Sequence, residues 1–508
     1  MLKYIDNLLD HITMYRLLLY YLIALVLIAM GLSAAGVLHF SVGSIAMSTI
    51  ILVVTCYILN KIFAAIFAAP TNVESVYITA LILALIIAPI NRSTPENLTF
   101  LLAASGLAIA SKYILTINKK HIFNPAAIAV VLTALGPRQS ANWWIGTTAM
   151  LPYVLIGGIL LIRKIRRVQM VVTFFVATLL STIVYTMLAK GSVGTSLHNT
   201  IFTSAMFFLG FVMLTEPLTT PPTAKKQKLY AILTGLLFPP QFHIFSIYST
   251  PELALVTSNV FAYIISPKAK LFPTLKQKRR LTPDTVDFVF DPKRTFRYQA
   301  GQYMEWTLQH PKTDSRGNRR ILTLASSPTE SDLRVGVKFH KGGSSFKRAL
   351  LDITPQTPIV AAQISGDFVL PKDPKQKIVF IAGGIGITPF RSMIKYLIDR
   401  NEPRVVTLLY SARTTQDFAY KEVFEEARQK LGLRTIYAVT GTNQEVSGEY
   451  MHHGRITAGL IHDVVPDFRE RLFYVSGTQD MVVKMKSSLQ VAGVPSHQIK
   501  VDYFSGYA

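Results

Sequence analysis

One cysteine, Cys56, is present in 508 residues. An iron–sulfur cluster takes about four protein thiolates, and a structural zinc site commonly takes about two to four. This chain by itself builds neither, nor an internal disulfide. Charge is also scarce, at 16% Asp, Glu, Lys and Arg against about 25% in ordinary soluble domains. The scarcity is local: residues 17–60 contain none of the four. Paired histidines are missing as well. His11, His39, His121, His198 and His243 fall at the ends of apolar runs or between them, and no two share a run as a ligand pair. Haem iron needs axial ligands such as His, Met or Cys, so haem stacked within a helical bundle is disfavoured.

What fills the first half is apolar. A bilayer core about 30 Å thick takes about 20 apolar residues per helix, so the uncharged run 17–60 predicts two spans, divided by the small, polar turn Ser33 to Ser44. Ten candidate spans follow in all, near 17–36, 42–60, 74–90, 98–116, 123–137, 146–162, 169–189, 201–214, 228–242 and 251–266. The fifth, eighth and ninth are short enough to be tilted, broken or partly buried. Lys and Arg accumulate in short cytoplasmic loops. With the N-terminus inside, the inner segments hold thirteen basic residues: Lys3, Arg16, Lys61, Lys112, Lys119, Lys120, Arg163, Lys164, Arg166, Arg167, Lys225, Lys226 and Lys228. The outer ones hold three, Arg92, Arg138 and Lys190. Both termini are therefore expected on the cytoplasmic face of a multi-pass cell-membrane protein. The formal charge of +23 is explained by this topology and an anionic inner leaflet, and no nucleic-acid partner is expected. Lys3 and Arg16 ahead of an apolar run, then Ser33-Ala34-Ala35, mimic a secretory signal. More spans follow at once, so the run reads as a retained first helix.

From about residue 280 the texture changes to short alternating strands: 284-DTVDFVF-290, 302-QYMEWTL-308, 333-LRVGVKF-339 and 358-PIVAAQI-364. Short strands separated by turn residues predict a small antiparallel barrel. After Pro371 strands and helices alternate, through 377-KIVFIAGG-384, 404-RVVTLLYSA-412, 435-TIYAVT-440 and 471-RLFYVSG-477, which predicts a parallel α/β sheet. In 381-IAGGIGITPF-390, Gly383, Gly384 and Gly386 separate an apolar strand from a helix, with Thr388 and Pro389 in its first turn. Glycines let backbone approach a ligand, and a helix start favours phosphate. The bland alternative is a tight strand–helix turn. The segment 342-GGSSF-346 opens a helix in the same way and, taken alone, reads as a loop.

In this half the sequence resembles the ferredoxin–NADP reductase family over residues 270–508. The family's flavin signature, Arg-x-Tyr/Phe-Ser/Thr, reads here 320-RILT-323. The resemblance implies that Arg320 holds the FAD pyrophosphate and that Thr323 hydrogen-bonds near the flavin N5 edge. Leu322 replaces the usual aromatic and turns a stacking surface into an aliphatic contact. By the same resemblance Gly343, Ser344 and Ser345 supply a second pyrophosphate contact, and Gly383, Gly384, Gly386 and Thr388 bind NADH, or NADPH. In 410-YSARTTQDF-418, Arg413 and Asp417 match the adenosine side. In 475-VSGTQDM-481, Ser476 and Gly477 stand where many relatives have Cys-Gly beside the nicotinamide. Phe504, in the terminal 502-DYFSGYA-508, is either the residue near the flavin ring or a core phenylalanine.

Two strings in the apolar half combine proline with a polar residue: 121-HIFNPAAIAVV-131 and 207-FFLGFVMLTEPLTTPPT-223. Intramembrane polar groups usually line a site, and interrupted helices in corresponding positions often mark binding. Asn124 and Glu216 either line such a site or cap helices at the interface. With the ten runs, these strings resemble the membrane flavoprotein family of the Rnf complex D subunit and the B subunit of sodium-pumping NADH:quinone reductase. The resemblance, over about residues 15–266, implies two inverted five-helix repeats and a flavin, FMN or riboflavin, within the membrane. Relatives join FMN to a threonine in a Ser-Gly-Ala-Thr sequence. The matching stretch here is 191-GSVGTSLHNT-200, where Gly194-Thr195-Ser196 fills the place of the Ala-Thr pair. A flavin near Thr195 and Ser196, without a covalent bond, is expected.

The reading is an α-helical membrane domain of about ten transmembrane helices in two inverted repeats (1–266), an antiparallel β-barrel FAD domain (267–372) and an α/β nucleotide-binding domain (373–508). Its expected function is NAD(P)H-dependent flavoprotein oxidoreductase chemistry: NAD(P)H to FAD, then to membrane flavin, then to a quinone or an outer-side acceptor. Thr323, Ser476 and Phe504 are the expected catalytic residues. The alternatives are a haem-type ferric reductase or NADPH oxidase, and a transporter with a fused reductase domain.

Overall fold

The computed structural model describes residues 9, 12–67, 73–90, 95–117, 120–136, 139–266, 270–314, 316–340, 342–441 and 450–504. Lys3, His11, Arg92, Lys119 and Arg138 lie outside them. The chain forms two compact units, Met1–Lys268 and Ala269–Ala508.

The first unit is helical, and its helices are built inside out. Val42–Ile66 buries Ser44, Ser48, Cys56 and Asn60, while Ile50, Val54, Ile58, Ile62 and Ile66 are exposed at four-residue spacing. Val168–Leu188 repeats the pattern. It buries Thr178, Ser181, Thr182 and Thr186 and exposes Val172, Val176, Leu180, Val184 and Leu188. In water such aliphatic stripes are unfavourable; against lipid they are the expected outer face, with small and polar residues at helix contacts. Together with Met14–Ala34, three helices are long and apolar enough to cross a membrane. A fourth arises if Val193–Phe202 and Met206–Met213, bent by 53°, count as one.

Each of the ten apolar runs contains a helix, but several are shorter than a bilayer is thick. Val73–Ile86 and Pro125–Leu135 have 14 and 11 residues, which at 1.5 Å per residue is about 21 and 16 Å. Both are buried along most of their length, so they sit inside the bundle rather than around it. Proline sets the boundaries: Pro125 starts one, and the other stops three residues before Pro89.

Helices that end inside an apolar bundle leave backbone groups that water cannot reach. The carbonyl of Ile86 accepts from the N–H groups of Asn142 and Trp143, at 2.9 and 2.8 Å. The Trp144 indole N–H donates to the carbonyls of Ala84 and Ile87, both at 3.0 Å. The segment Trp143-Trp144 is thus a cap, delivered by the left-handed backbone of Trp143 (φ 54°).

The second unit contains β1 Lys270–Leu271, β2 Thr274–Thr282, β3 Thr285–Asp291, β4 Tyr303–Leu308, β5 Arg319–Thr323, β6 Leu333–Lys338 and β7 Ile359–Ser365. Alternation along β4 and β6 puts every second side chain inside, as period-two strands require. They pair as two antiparallel sheets, β6-β3-β2 and β1-β7-β4-β5, enclosing Phe288, Phe290, Trp306 and Leu333. Among the described residues the hydrogen bonding leaves these as two sheets rather than one closed ring.

Next come β8 Ile378–Gly383, β9 Val406–Ala412, β10 Arg434–Val439, β11 Met451–His453, β12 Leu472–Thr478 and β13 Ile499–Phe504. They form one parallel sheet in the order β11-β10-β9-β8-β12-β13. Cores on both faces explain why β8 is buried almost continuously. The order reverses between β8 and β12, and ligands of such sheets bind outside the strand ends at that point.

Replacing Trp144 by Phe keeps a buried ring but removes the donor to both carbonyls. Two buried acceptors without partners cost about 1–3 kcal/mol. A thermal-unfolding scan of detergent-solubilised protein should show a lowered midpoint, and an unchanged midpoint would mean the helix end is satisfied otherwise.

Candidate functional site

At the switch point the three glycines do different work. A Cβ on Gly386 would lie 2.4 Å from the Ser476 carbonyl oxygen, and one on Gly383 would lie 2.1 Å from the Met481 sulfur. Those two glycines allow β8, the turn and β12 to pack. Gly384 has φ +54° and nothing within 4 Å of its Cβ position, so it alone presents open backbone. Thr388 begins the helix Thr388–Asp399. Ser476 is wholly buried at the end of β12, and its hydroxyl has no hydrogen-bond partner among the described residues. That orphaned hydroxyl, beside open backbone at a helix start, fits a nicotinamide dinucleotide. Gly477 packs near Met481.

Arg413 is exposed just beyond the end of β9, on the same edge of the sheet. Asp417 is otherwise engaged: its carboxylate accepts from the Thr414 backbone N–H at 3.0 Å in a capping box. Phe504 ends β13, and its side chain lies outside the described residues, as do residues 505–508.

The flavin signature lies on β5. Thr323 is buried and pairs with Tyr303, and Leu322, half-buried, pairs with Met304. Arg320 is buried; its Nη1 donates to the carbonyls of Arg316 and Arg319 at 2.8 and 2.6 Å, and its guanidinium lies over Phe346. The neighbouring helix Ser345–Asp352 is capped by Ser344, whose hydroxyl accepts from the Lys347 N–H at 3.3 Å. Gly343 precedes that cap.

Charge in this corner is predominantly positive. Burial, with Arg320 and then Arg316 nearby, pushes the Lys347 ammonium down to about 8. The Asp314 carboxylate sits at the helix start, accepting from the Ser345 N–H at 2.8 Å. Burial opposes its charge, but that bond and those from Arg316 outweigh it and hold the carboxyl down to about 2. Asp314 fills the start of that helix and pairs with Arg316 at 2.9 Å, while the Lys347 ammonium donates to the Lys338 carbonyl at 2.7 Å; the remaining positive charge of Arg320 and Lys347 beside them suits a diphosphate. Lys347 was not among the expected ligands; its position three residues after the capping serine was the available signal.

The first unit has its own polar centre, and Asn124 and Glu216 meet there. The Asn124 side-chain oxygen caps the helix Pro125–Leu135, accepting from the Ala127 N–H at 3.1 Å. Its amide donates to Glu216 Oε2 at 2.9 Å. Asn259 accepts from the Asn124 N–H at 2.8 Å and donates to the Tyr230 hydroxyl oxygen at 2.9 Å. His121 Nε2 lies 3.6 Å from Glu216 Oε1. Glu216 is half-buried; a fully buried carboxylate, Glu252, accepts from the Trp143 indole at 2.8 Å. Tyr230, Asn259 and Glu252 were missed because each sits singly in an apolar run.

Thr195 and Ser196 lie on another helix. The stretch 191–200, which falls between the seventh and eighth candidate spans and so reads as a loop joining them, is helical from Val193 on, in a helix that ends at Phe202 and is capped by Ser192 through the Thr195 N–H at 3.4 Å. Serine at that cap and the absence of proline favour the helix. Thr195 is exposed and Ser196 half-buried.

Comparison with known proteins bears on the second unit. The family described as "Oxidoreductase NAD-binding domain" matches residues 380–487. The chain is 30% identical to NADPH oxidoreductase of Mycobacterium tuberculosis over 234 residues, 45% of this chain and 58% of that protein. It is 23% identical to flavohemoprotein of Bacillus subtilis over 235 residues, again 45% and 58%. The chain therefore spans 58% of each relative's length. A solved flavohem-like FAD/NAD-binding domain of nitric oxide dioxygenase from Vibrio cholerae has 18% identity and a TM-score of 0.40, covering 46% of this chain and 98% of that one. The C-terminal half thus carries an oxidoreductase NAD-binding domain and is similar, over most of its length, to parts of a flavohemoprotein and an NADPH oxidoreductase.

Lys347 gives the site a pH signature. A bound diphosphate favours the ammonium form, so above pH about 8 binding must bring a proton with it. FAD affinity, measured by fluorescence quenching on flavin-stripped protein, should be level below that pH and fall above it. Lys347→Arg stays charged and should flatten the profile. A flat wild-type profile would place Lys347 away from the diphosphate.

Proposed function

We propose that this chain is a transmembrane electron-transfer oxidoreductase. NADH or NADPH reduces FAD in the C-terminal unit, and electrons pass to a flavin, FMN or riboflavin, held by the N-terminal unit. A quinone or an outer-side acceptor then receives them. The module at the C-terminus and its NADPH oxidoreductase relative support the first step.

Within that module FAD supplies the hydride-accepting chemistry, and the protein supplies position and field. Arg320 and Lys347, beside the start of helix Ser345–Asp352, would hold the diphosphate against its own repulsion. Thr323 offers a hydroxyl at the end of β5, where the resemblance places the reactive edge of the ring. Gly384 admits the dinucleotide phosphates to bare backbone, and Arg413 meets the adenosine end. Ser476 takes the nicotinamide side, a hydroxyl where relatives carry a thiol. By the same resemblance Phe504 would be the residue near the ring.

The observation that carries the membrane part is the junction of Asn124 with Glu216 at 2.9 Å. Two interrupted segments, far apart in sequence, place polar groups together inside a unit whose outer stripes are aliphatic. Polar groups at such depth are costly unless they serve a site. The reading has ten crossings in two inverted repeats, the short helices being broken or partly buried segments of their crossings, and both termini on the cytoplasmic face. Asn124 and Glu216 belong to the flavin environment, and Thr195 and Ser196 to the site on the outer side.

Acid precipitation of purified protein tests this. Released flavin should approach about two per chain, FAD with FMN or riboflavin, and the denatured polypeptide should carry no fluorescence. One flavin per chain without haem would contradict the membrane flavin and leave direct reduction of a quinone by FAD.

A further inference from the structure

Asp287 has no place in an ordinary strand core. It lies on β3 with 0% exposure, where an unpaired carboxylate is strongly unfavourable. Two partners hold it, from different parts of the unit. Arg334, on the adjacent strand β6, donates to Oδ2 at 3.0 Å. Tyr420, which precedes the helix Lys421–Leu431 of the nucleotide half, donates its hydroxyl to Oδ1 at 2.9 Å.

The sheet is opened to let that tyrosine in. Gly336 stands directly opposite Asp287 in the β3–β6 register. A Cβ there would lie 2.6 Å from the Tyr420 hydroxyl, 2.9 Å from the Thr388 methyl and 3.3 Å from Ile385 Cδ1. Ile385 and Thr388 belong to the dinucleotide turn and the helix it opens. The gap at Gly336 therefore seats three side chains of the nucleotide half on a strand of the flavin half. Tyr420 is also held at φ +63°, a backbone state costing about 1–3 kcal/mol that persists only where surroundings enforce it.

A second grip acts just after the flavin signature. Arg391 forms a two-pronged pair with Glu330 and donates to the Ala325 carbonyl at 2.9 Å. The Ser392 hydroxyl donates to the Ser326 carbonyl at 2.6 Å. That grip clamps the helix behind the turn. The tyrosine contact bears on the turn itself.

We propose that Tyr420 and Asp287, through the gap at Gly336, are positioning residues for hydride transfer: they set how closely the dinucleotide turn approaches the flavin strand. This rests on the reading that the C-terminal module passes hydride from NAD(P)H to FAD. A displacement of about 1 Å can cost about 100-fold in rate, so loss of this single bond has kinetic weight beyond its contribution to stability.

The test is Tyr420→Phe in the full chain, which keeps the ring and removes the hydroxyl. FAD content and NAD+ affinity should match wild type within about twofold. The rate of flavin reduction by NADH should fall about tenfold or more, with a larger primary deuterium isotope effect from NADH labelled at the transferred position. In flavin-stripped protein, amide hydrogen exchange over Ile385–Thr388 should speed up. Gly336→Ala, which pushes the hydroxyl and Thr388 aside from the opposite strand, should change rate and exchange in the same direction. Wild-type rate and wild-type exchange in Tyr420→Phe would overturn the inference alone. Wild-type protein that binds FAD yet is reduced by neither NADH nor NADPH would overturn both it and the reading beneath it.

Discussion

Buried polar groups must find partners within the protein, and in this chain that requirement places nearly every feature of interest. In the N-terminal unit it operates on backbone. Helices that stop inside an apolar bundle need caps, and the caps are Trp144 at one break and Asn124 at another. Once Asn124 serves as a cap, its amide needs an acceptor, which is Glu216; its N–H needs another, which is Asn259. The polar centre follows from the interruption of the helices. In the C-terminal unit the same requirement acts on charge. Asp287 and Arg391 are almost fully buried, and each takes a partner from across the boundary between the antiparallel sheets and the nucleotide half, Tyr420 for Asp287 and Ala325 and Glu330 for Arg391.

The pairing has mechanical consequences. A parallel sheet and a pair of small antiparallel sheets joined by apolar contacts alone have a soft relative orientation, since apolar contact is not directional. Hydrogen bonds from Tyr420, Arg391 and Ser392 are directional. Arg391 and Ser392, just after the glycine turn, bond the segment that follows Thr323, and Tyr420 bonds β3. The helix that follows the glycine turn and the segment that follows β5 are thus joined by directional bonds.

Much of this was legible in the sequence, and the residues show why. The alternation in 333-LRVGVKF-339 and the unbroken apolar run of β8 are local patterns, and each fixes its own element. The glycine turn was legible as a motif, but not its division of labour: only the packing of Met481 and Ser476 separates Gly383 and Gly386 from Gly384. Apolar runs in the first half read as spans because hydropathy reports composition; the actual helix lengths depend on where prolines and caps cut them. Residues 191–200, between the seventh and eighth apolar runs, read as a loop, yet Ser192 starts a helix there that runs into the eighth run. Lone polar residues, Glu252 and Asp287 among them, carried no local signal, because their partners lie 109 and 133 positions away in sequence.

The central claim is that electrons entering at the C-terminal FAD are stored in a second carrier on the same polypeptide. Anaerobic titration of the purified full chain with NADH, followed by flavin absorbance, addresses it directly. FAD alone accepts about two electrons, so uptake clearly beyond that, with bleaching of all bound flavin, is the expected result. Uptake that ends at about two electrons per chain while further flavin stays oxidised would contradict it.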